Sequence, residues 1–391
     1  MNKTTKIIIG VVVLVIILVG GYYLLGKKYS VNQPIVSPTP TTTQQPAPEE
    51  PIKIGFIGPL TGDVASIGEN IKTALEIAKD EINQTGINGR KIEIIYEDGK
   101  CDPKAAVDAA NKLINIDKVK IIIGGICSSE TLAVAPLAEQ NKVILFSSAS
   151  TNPKISEAGD YIFRNVPSDN YQGNFAAEFI KNNMKVNKVA ILKCLSDWCL
   201  GVAEAFKNKF KELNGEVAAE ESFKQDARDL RSQLTKIKAS KPGLIYFVSY
   251  TEGTIVGIKQ IKELGIKSKI FGADAWSDPK IWQELGTIGN GALYVEPANK
   301  ALPQNFIDEM NKRTGGKEIV VYAPRAYDIL KLLAQLITQN GYDSEKIKNA
   351  LYQVKDYQGI ADNYTFDQNG DIVSAKYIVK EIQNGKPVEV K

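Results

Sequence analysis

Residues 124–140, GGICSSETLAVAPLAEQ, set a cysteine and two hydroxyls (Cys127, Ser128, Ser129) between an apolar run and a helical pattern. A turn of this kind can expose a nucleophile, but a nucleophile needs a base to activate it. The 391-residue chain contains no histidine, which removes every Ser-His and Cys-His pair and every His-ligated metal site. Cys194 and Cys199 bracket LSDW. Without histidine or a second such pair they make a poor zinc site, and a short bridge or two free thiols remain as readings. Asp98 and Asp102 have the chemistry of a general acid and base, yet acids are ordinary in strand-to-helix loops. Neither a G-x-G-x-x-G nor a Walker pattern occurs, and GPLTG (58–62) alone is too weak to cradle a nucleotide. These residue types point to holding a molecule rather than reacting with it. No catalytic residue, metal or cofactor is expected.

The elements that must position these residues alternate. Apolar runs IKIGFIG, KIEIIYE, VKIIIGG and VILFSS are separated by helical stretches, and after Pro167 the rhythm restarts through KVAILK, LIYFVS and SKIFGA. Alternation of this kind predicts an α/β fold of two similar doubly wound (Rossmann-like) parallel-sheet lobes. The tail breaks it with three successive helical patterns and a strand pair around Asn384-Gly385. In open parallel sheets ligands bind beyond the carboxyl ends of the strands, which selects the loops GPLTGDVASIG, ICSSE, SSASTN, CLSDWCLG, SYTEG and ADAWSD. Ser128 or Ser129 starts a helix, where a hydroxyl cap is expected in any case. The unpaired amides and positive dipole end of that helix also suit an anion.

With 43% apolar residues the chain has material for a large core. Four of its 48 basic residues (Lys3, Lys6, Lys27, Lys28) flank an N-terminal apolar run, and the remaining 44 balance 45 acids, so nothing argues for nucleic acid. The run from Ile7 to Leu25 is free of charge and would span about 28 Å as a helix, enough to cross a bilayer. Residues 1–28 are read as an uncleaved signal anchor in preference to a removed signal peptide, and the Pro/Thr-rich residues 29–51 as a polar tether. Four cysteines beyond a tether fit an oxidising, extracytoplasmic compartment at the cytoplasmic membrane.

The segments YEDGKCDPKAAVDAANKLI, GGICSSET, SSASTNP, FRNVPSDNYQG and FGADAW together resemble the type I periplasmic binding proteins of ABC transporters, most of all the leucine/isoleucine/valine-binding branch. The resemblance runs from about Ile52 to the C-terminus. It implies two lobes joined by a three-crossover hinge near Pro167–Asp169, Pro297 and Phe366, with lobe I at 52–168 plus 297–365 and lobe II at 169–296 plus 366–391. It also implies that Cys101 and Cys127 are bridged, closing a loop worth ~3 kcal/mol by chain entropy; the family offers no counterpart for Cys194 and Cys199.

Carried over residue by residue, the resemblance assigns an amino-acid ligand's carboxylate to Ser128 and Thr151. Ala149 gives a backbone contact beside Ser150, and Asp274 meets the ammonium. Trp198, Tyr250 and Tyr327 cover the ligand, with Ile67 and Cys127 at the edge of the site. Asp274 stands where the family has glutamate, Ile67 replaces a tyrosine, and Trp276 has no close family counterpart and is expected to narrow the pocket. The expected function is an extracytoplasmic substrate-binding protein that closes on a branched-chain or other aliphatic amino acid and serves ABC permease subunits. The alternatives are a sensory ectodomain of the same fold, or a binder of amides, urea-like molecules or aromatic acids.

Overall fold

A computed structural model describes residues 50–390. The N-terminal apolar run and most of the tether lie outside the described residues. Among the described residues no helix is long and apolar enough to cross a membrane.

Short β-branched runs make the central strands. IIIG at β3 (Ile121–Gly124) and ILFS at β4 (Ile144–Ser147) are buried at every residue, as parallel strands covered on both faces must be. With β1 (Ile52–Gly58), β2 (Ile92–Asp98) and β5 (Ile162–Arg164) they form one parallel sheet in the order β2-β1-β3-β4-β5. The connecting helices are α1 (Ala65–Thr85), α2 (Pro103–Asn115) and α3 (Ser128–Asn141). α1 buries Ile67, Ile71, Ala74, Leu75 and Ala78, an apolar stripe at helical spacing.

The chain then passes into α4 (Asp169–Glu178) and a second sheet. Its parallel strands are β6 (Lys188–Cys194), β7 (Glu216–Phe223), β8 (Leu244–Val248), β9 (Lys269–Gly272) and β10 (Ala292–Pro297). They are connected by α5 (Asp197–Glu212), α6 (Arg231–Ser240), α7 (Thr251–Glu263) and α8 (Pro279–Leu285). After β10 the chain returns to the first sheet: α9 (Gln304–Thr314) and α10 (Ala323–Asn340) pack on α1, and α11 (Ser344–Leu351) packs on α10. A small pair, β11 (Tyr357–Gln358) and β12 (Asn363–Tyr364), precedes the last crossing. The hairpin β13 (Tyr377–Gln383) and β14 (Lys386–Glu389) then joins the second sheet antiparallel beside β10. Its turn places Asn384 at φ 52° and Gly385 at φ 75°, the left-handed pair that a two-residue hairpin requires.

The fold is therefore α/β with two doubly wound sheets, the second one mixed at its edge. The last crossing falls later than Phe366. Phe366 packs edge-on against Phe146 and Phe163 of the first sheet, and buried Arg164 holds Asp371 by two bonds of 2.6 and 2.7 Å. Residues 366–372 thus stay with β5, because a buried guanidinium needs its carboxylate.

Candidate functional site

Gly124 ends β3 at φ +135°, and a Cβ there would lie 2.1 Å from Ile57 O, so only glycine lets the chain leave the sheet beside β1. It enters α3 through Cys127, and Glu130 folds back over the turn. Glu130 Oε2 accepts the amides of Ile126 and Cys127, and Oε1 accepts that of Cys101, each at 2.9 Å. Burial pushes the Glu130 carboxyl up to about 7, while those three donors pull it the other way. The Cys101–Cys127 disulfide joins two of the three residues whose amides Glu130 accepts. On the other side, Gly125 O accepts the hydroxyls of Thr131, Ser147 and Ser150 at 3.0, 2.6 and 2.8 Å, and Asn152 N donates to Ser128 Oγ at 3.2 Å. The loop after β4 is thereby fastened to the tip of α3. Ser150, expected in the ligand set, spends its hydroxyl on this web. Thr151 Oγ1 is buried with no hydrogen-bond partner.

Facing this tip are elements of the second sheet. Ile67, Ile126, Cys127, Ser128 and Ala149 from one side meet Trp198, Tyr250 and Ala275 from the other, with Tyr322 between, around a cavity of about 20 Å³. The sheets are closed on each other, and a ligand enters only if they part. Trp198 stands in the first turn of α5, beside the Cys194–Cys199 disulfide, and its ring lies 4.7 Å from that of Tyr250.

Asp274 follows β9 and is 1% exposed. Its amide donates to Gln172 Oε1 at 3.2 Å, and among the described residues its carboxylate has no cationic partner, only the neutral donors Tyr322 and Gln172 beside it. Burial pushes this carboxyl up to about 6, with Tyr322 and Gln172 opposing. A second acid stands beside it. Asp169, the first residue of α4, is fully buried, and burial together with the Asp274 charge pushes it well above the carboxylate range, with Thr151, Arg164 and Trp198 opposing. Asp169 was missed in the sequence, where S-D-N after Pro167 looks like an ordinary capped helix start. Its place at the first crossing, inside FRNVPSDNYQG, was the available signal.

Two aromatic assignments change. Tyr327 does not reach the cavity: α10 turns it onto α1, where its hydroxyl donates to Glu81 Oε2 and its ring meets Phe306 at 5.2 Å. Tyr322, just before α10, lines the cavity instead. Trp276 is fully buried behind the site against Phe247 and Trp282 and does not narrow it.

Contacts across the mouth hold the sheets together. Asp63 pairs with Arg228 at 2.6 Å. Asp278 Oδ2, held on its own side by Thr251 Oγ1 at 2.6 Å, accepts the Ser66 hydroxyl across the mouth, and Asn152 Nδ2 donates to Asp197 O at 2.5 Å. Among the described residues no three Cys, Asp or Glu side chains gather as a metal site. The arrangement sets a helix tip and hydroxyls against buried acids under an aromatic cover, which suits a charge-balanced guest.

Two closing sheets with a cleft between the carboxyl ends of their strands define a ligand-clamping receptor fold. The pattern of the periplasmic binding protein family matches residues 51–386, and the chain belongs to that family. It is similar to a leucine-, isoleucine-, valine-, threonine- and alanine-binding protein of Pseudomonas aeruginosa, with 29% identity over 84% of this chain and 89% of that one. Among solved structures it is similar to a leucine-binding protein of Thermotoga maritima (TM-score 0.81, 27% identity, 87% of this chain and 98% of that one). A branched-chain amino acid transporter substrate-binding protein of Streptococcus pneumoniae, in complex with isoleucine, gives TM-score 0.78 and 25% identity over 87% of this chain and 100% of that one.

Proposed function

We propose that the protein captures a small zwitterionic amino acid, branched-chain or otherwise aliphatic, between two closing lobes and presents it to the permease subunits of an ABC transporter outside the cytoplasm. Lobe I is built on the first sheet (52–168 plus 297–365, with 366–372 beside it) and lobe II on the second (169–296 plus the remainder to 391), and residues 7–25 tether the pair to the membrane. No bond is made or broken.

The observation that carries this reading is the buried Asp274 carboxylate, which among the described residues has only the neutral donors Tyr322 and Gln172 beside it and no cationic partner, on the side of the cavity away from the α3 tip with Ser128. A buried acid without a partner is costly unless a cation arrives, and an α-ammonium supplies one. The carboxylate then takes the helix tip, which attracts anions without a lysine or arginine. The relatives, a leucine-, isoleucine-, valine-, threonine- and alanine-binding protein and a binding protein in complex with isoleucine, agree with the apolar lining of Ile67, Ile126 and Ala149. An ionised Asp274 repels a purely anionic guest, which weighs against the aromatic-acid alternative.

Calorimetry of the protein against the twenty amino acids, a few amides and benzoate tests the reading. Binding of leucine, isoleucine or valine at micromolar concentration or below is expected. Binding of benzoate alone, or a ligand-occupied crystal with the amino group away from Asp274, overturns it.

A further inference from the structure

All four cysteines of the chain are bridged, and each bridge stands behind one wall of the same cavity: Cys127 on the first-sheet side, and Cys194–Cys199 under Trp198 on the other. The first bridge closes a long loop. The second, with a sequence separation of 5, constrains the unfolded chain much less, since loop-closure entropy grows with loop length. Its main effect is therefore local.

The local need is plain. Trp198 is the second residue of α5, and a helix's first turn, whose amides lack intrahelical partners, is where fraying begins. Leu195 and Leu200 on either side are 53% and 43% exposed, so these two side chains lend the turn little packing. Three ties fix it. Leu195 N donates to Phe223 O at 2.8 Å, Cys199 N donates to Ser196 Oγ at 3.2 Å, and the disulfide anchors Cys199 to the end of β6. Cys199 Sγ also lies 3.4 Å from Val248 O, at the end of β8, two residues before Tyr250. One sulfur thus touches the turn that carries Trp198 and the strand end that carries Tyr250, whose rings meet at 4.7 Å.

We propose that the Cys194–Cys199 disulfide is a positioning device for the Trp198–Tyr250 cover, setting both rings over the cavity before a ligand arrives. This rests on the cleft being the ligand site. A cover ordered in advance spares the ligand the entropy of ordering it, which raises affinity without adding a contact. The gain resides in a slower off-rate, since related binding sites differ mostly in dissociation.

The test is a double-mutant cycle on the full-length protein, with L-leucine as probe. Cys194→Ala/Cys199→Ala should raise the Kd about tenfold through the off-rate. In a Trp198→Ala background the same double substitution should change the Kd less than twofold. Equal losses in both backgrounds, or no loss with Trp198 present, overturn the proposal. Hydrogen exchange gives a second readout that needs no ligand: removing the bridge should deprotect peptides covering 194–201 and 248–254 while the rest of the second sheet keeps its protection. Loss of protection throughout that sheet would mean a general stabilising bridge and would overturn the proposal. If L-leucine binds no variant, including the unaltered protein, while the exchange pattern is local, the amino-acid reading fails and the positioning role stands.

Discussion

Asp169 stands at the first crossing of the chain and Asp274 in the loop after β9, yet both are buried at one site, where the charge of Asp274 raises the proton affinity of Asp169. Among the described residues neither makes an ion pair, and Arg164, beside Asp169, is committed to Asp371. An ammonium entering here finds its counter-charge in place. Truncating one partner of a buried, hydrogen-bonded charge pair costs ~2–5 kcal/mol. Asp274→Ala should accordingly weaken amino-acid binding by roughly thirtyfold or more, whereas Asp108→Ala, exposed on α2, should leave it unchanged. Calorimetric Kd values decide. Equal small effects reject the role of Asp274. Asp278 is not a suitable control, because it receives the Ser66 hydroxyl across the cleft.

The same burial makes the ligand-free protein sensitive to pH in a definite direction. Glu130 titrates at about 7 in the fold against 4.5 ordinarily, and Asp274 at about 6 against 3.8. The folded state therefore holds protons that the unfolded chain has released, and their stabilising contribution is complete below the ordinary values and lost as pH rises through the folded ones. Thermal midpoints should fall by a few degrees between pH 5 and pH 8 at constant ionic strength, and Glu130→Gln should flatten the upper part of the slope. A ligand ammonium favours ionised Asp274, so affinity should run the opposite way and weaken as pH drops below about 6. A midpoint that rises steadily from pH 5 to 8 without ligand contradicts this account.

Tyr322 and Tyr327 lie in one short stretch, YAPRAYDIL, and only the start of α10 separates their fates. Tyr322 is in the cavity, whereas Tyr327 is bonded to Glu81 on α1. Tyr322→Ala should raise the Kd about tenfold. Tyr327→Phe should leave the Kd alone and cost about 1 kcal/mol of stability, the usual net value of a lost hydrogen bond. Titration calorimetry with urea melts separates the two; a reversed pattern would restore Tyr327 to the site.

The contrast between these tyrosines marks how far the sequence could be read. The parallel strands were legible because runs such as IIIG and ILFS have no polar face to expose, and the hairpin was legible because Asn384-Gly385 suits a left-handed turn pair. Ser128 was legible as a helix start at the end of a strand. What stayed hidden depends on rotation about a helix or on distant partners. Tyr327 leaves the cavity because of the face α10 turns to α1. Asp169 joins Asp274 only after the sheets fold together, and Phe366 stays with the first sheet because Arg164, far away in sequence, needs Asp371.

That last pair gives a stability prediction. Arg164 is fully buried, bonded to Asp371 at two points, to Asn152 O at 2.9 Å and to Ser156 Oγ at 2.8 Å. Breaking a buried pair by removing one partner costs ~3–5 kcal/mol, so Arg164→Ala should lower the urea midpoint strongly. Arg164→Lys should recover only part of the loss, because an ammonium cannot reproduce the two-point geometry.

At the mouth the energetics are different in kind. Asp63 and Arg228 are partly exposed, and such pairs contribute ~0.2–1 kcal/mol, so Arg228→Ala should leave the thermal midpoint nearly unchanged. The pair bridges the two sheets, however, and whatever it contributes belongs to the closed state alone. A deficit of that size acts on the closed-to-open equilibrium and should quicken ligand release up to about fivefold. Salt should reproduce the effect in the unaltered protein, since exposed pairs are screened within about 8 Å at physiological ionic strength, and should have little further effect on Arg228→Ala. Stopped-flow release of L-leucine at low and high salt reads both quantities. An off-rate indifferent to salt and to Arg228→Ala would mean that the cleft is held shut by the Ser66–Asp278 bond and not by this pair.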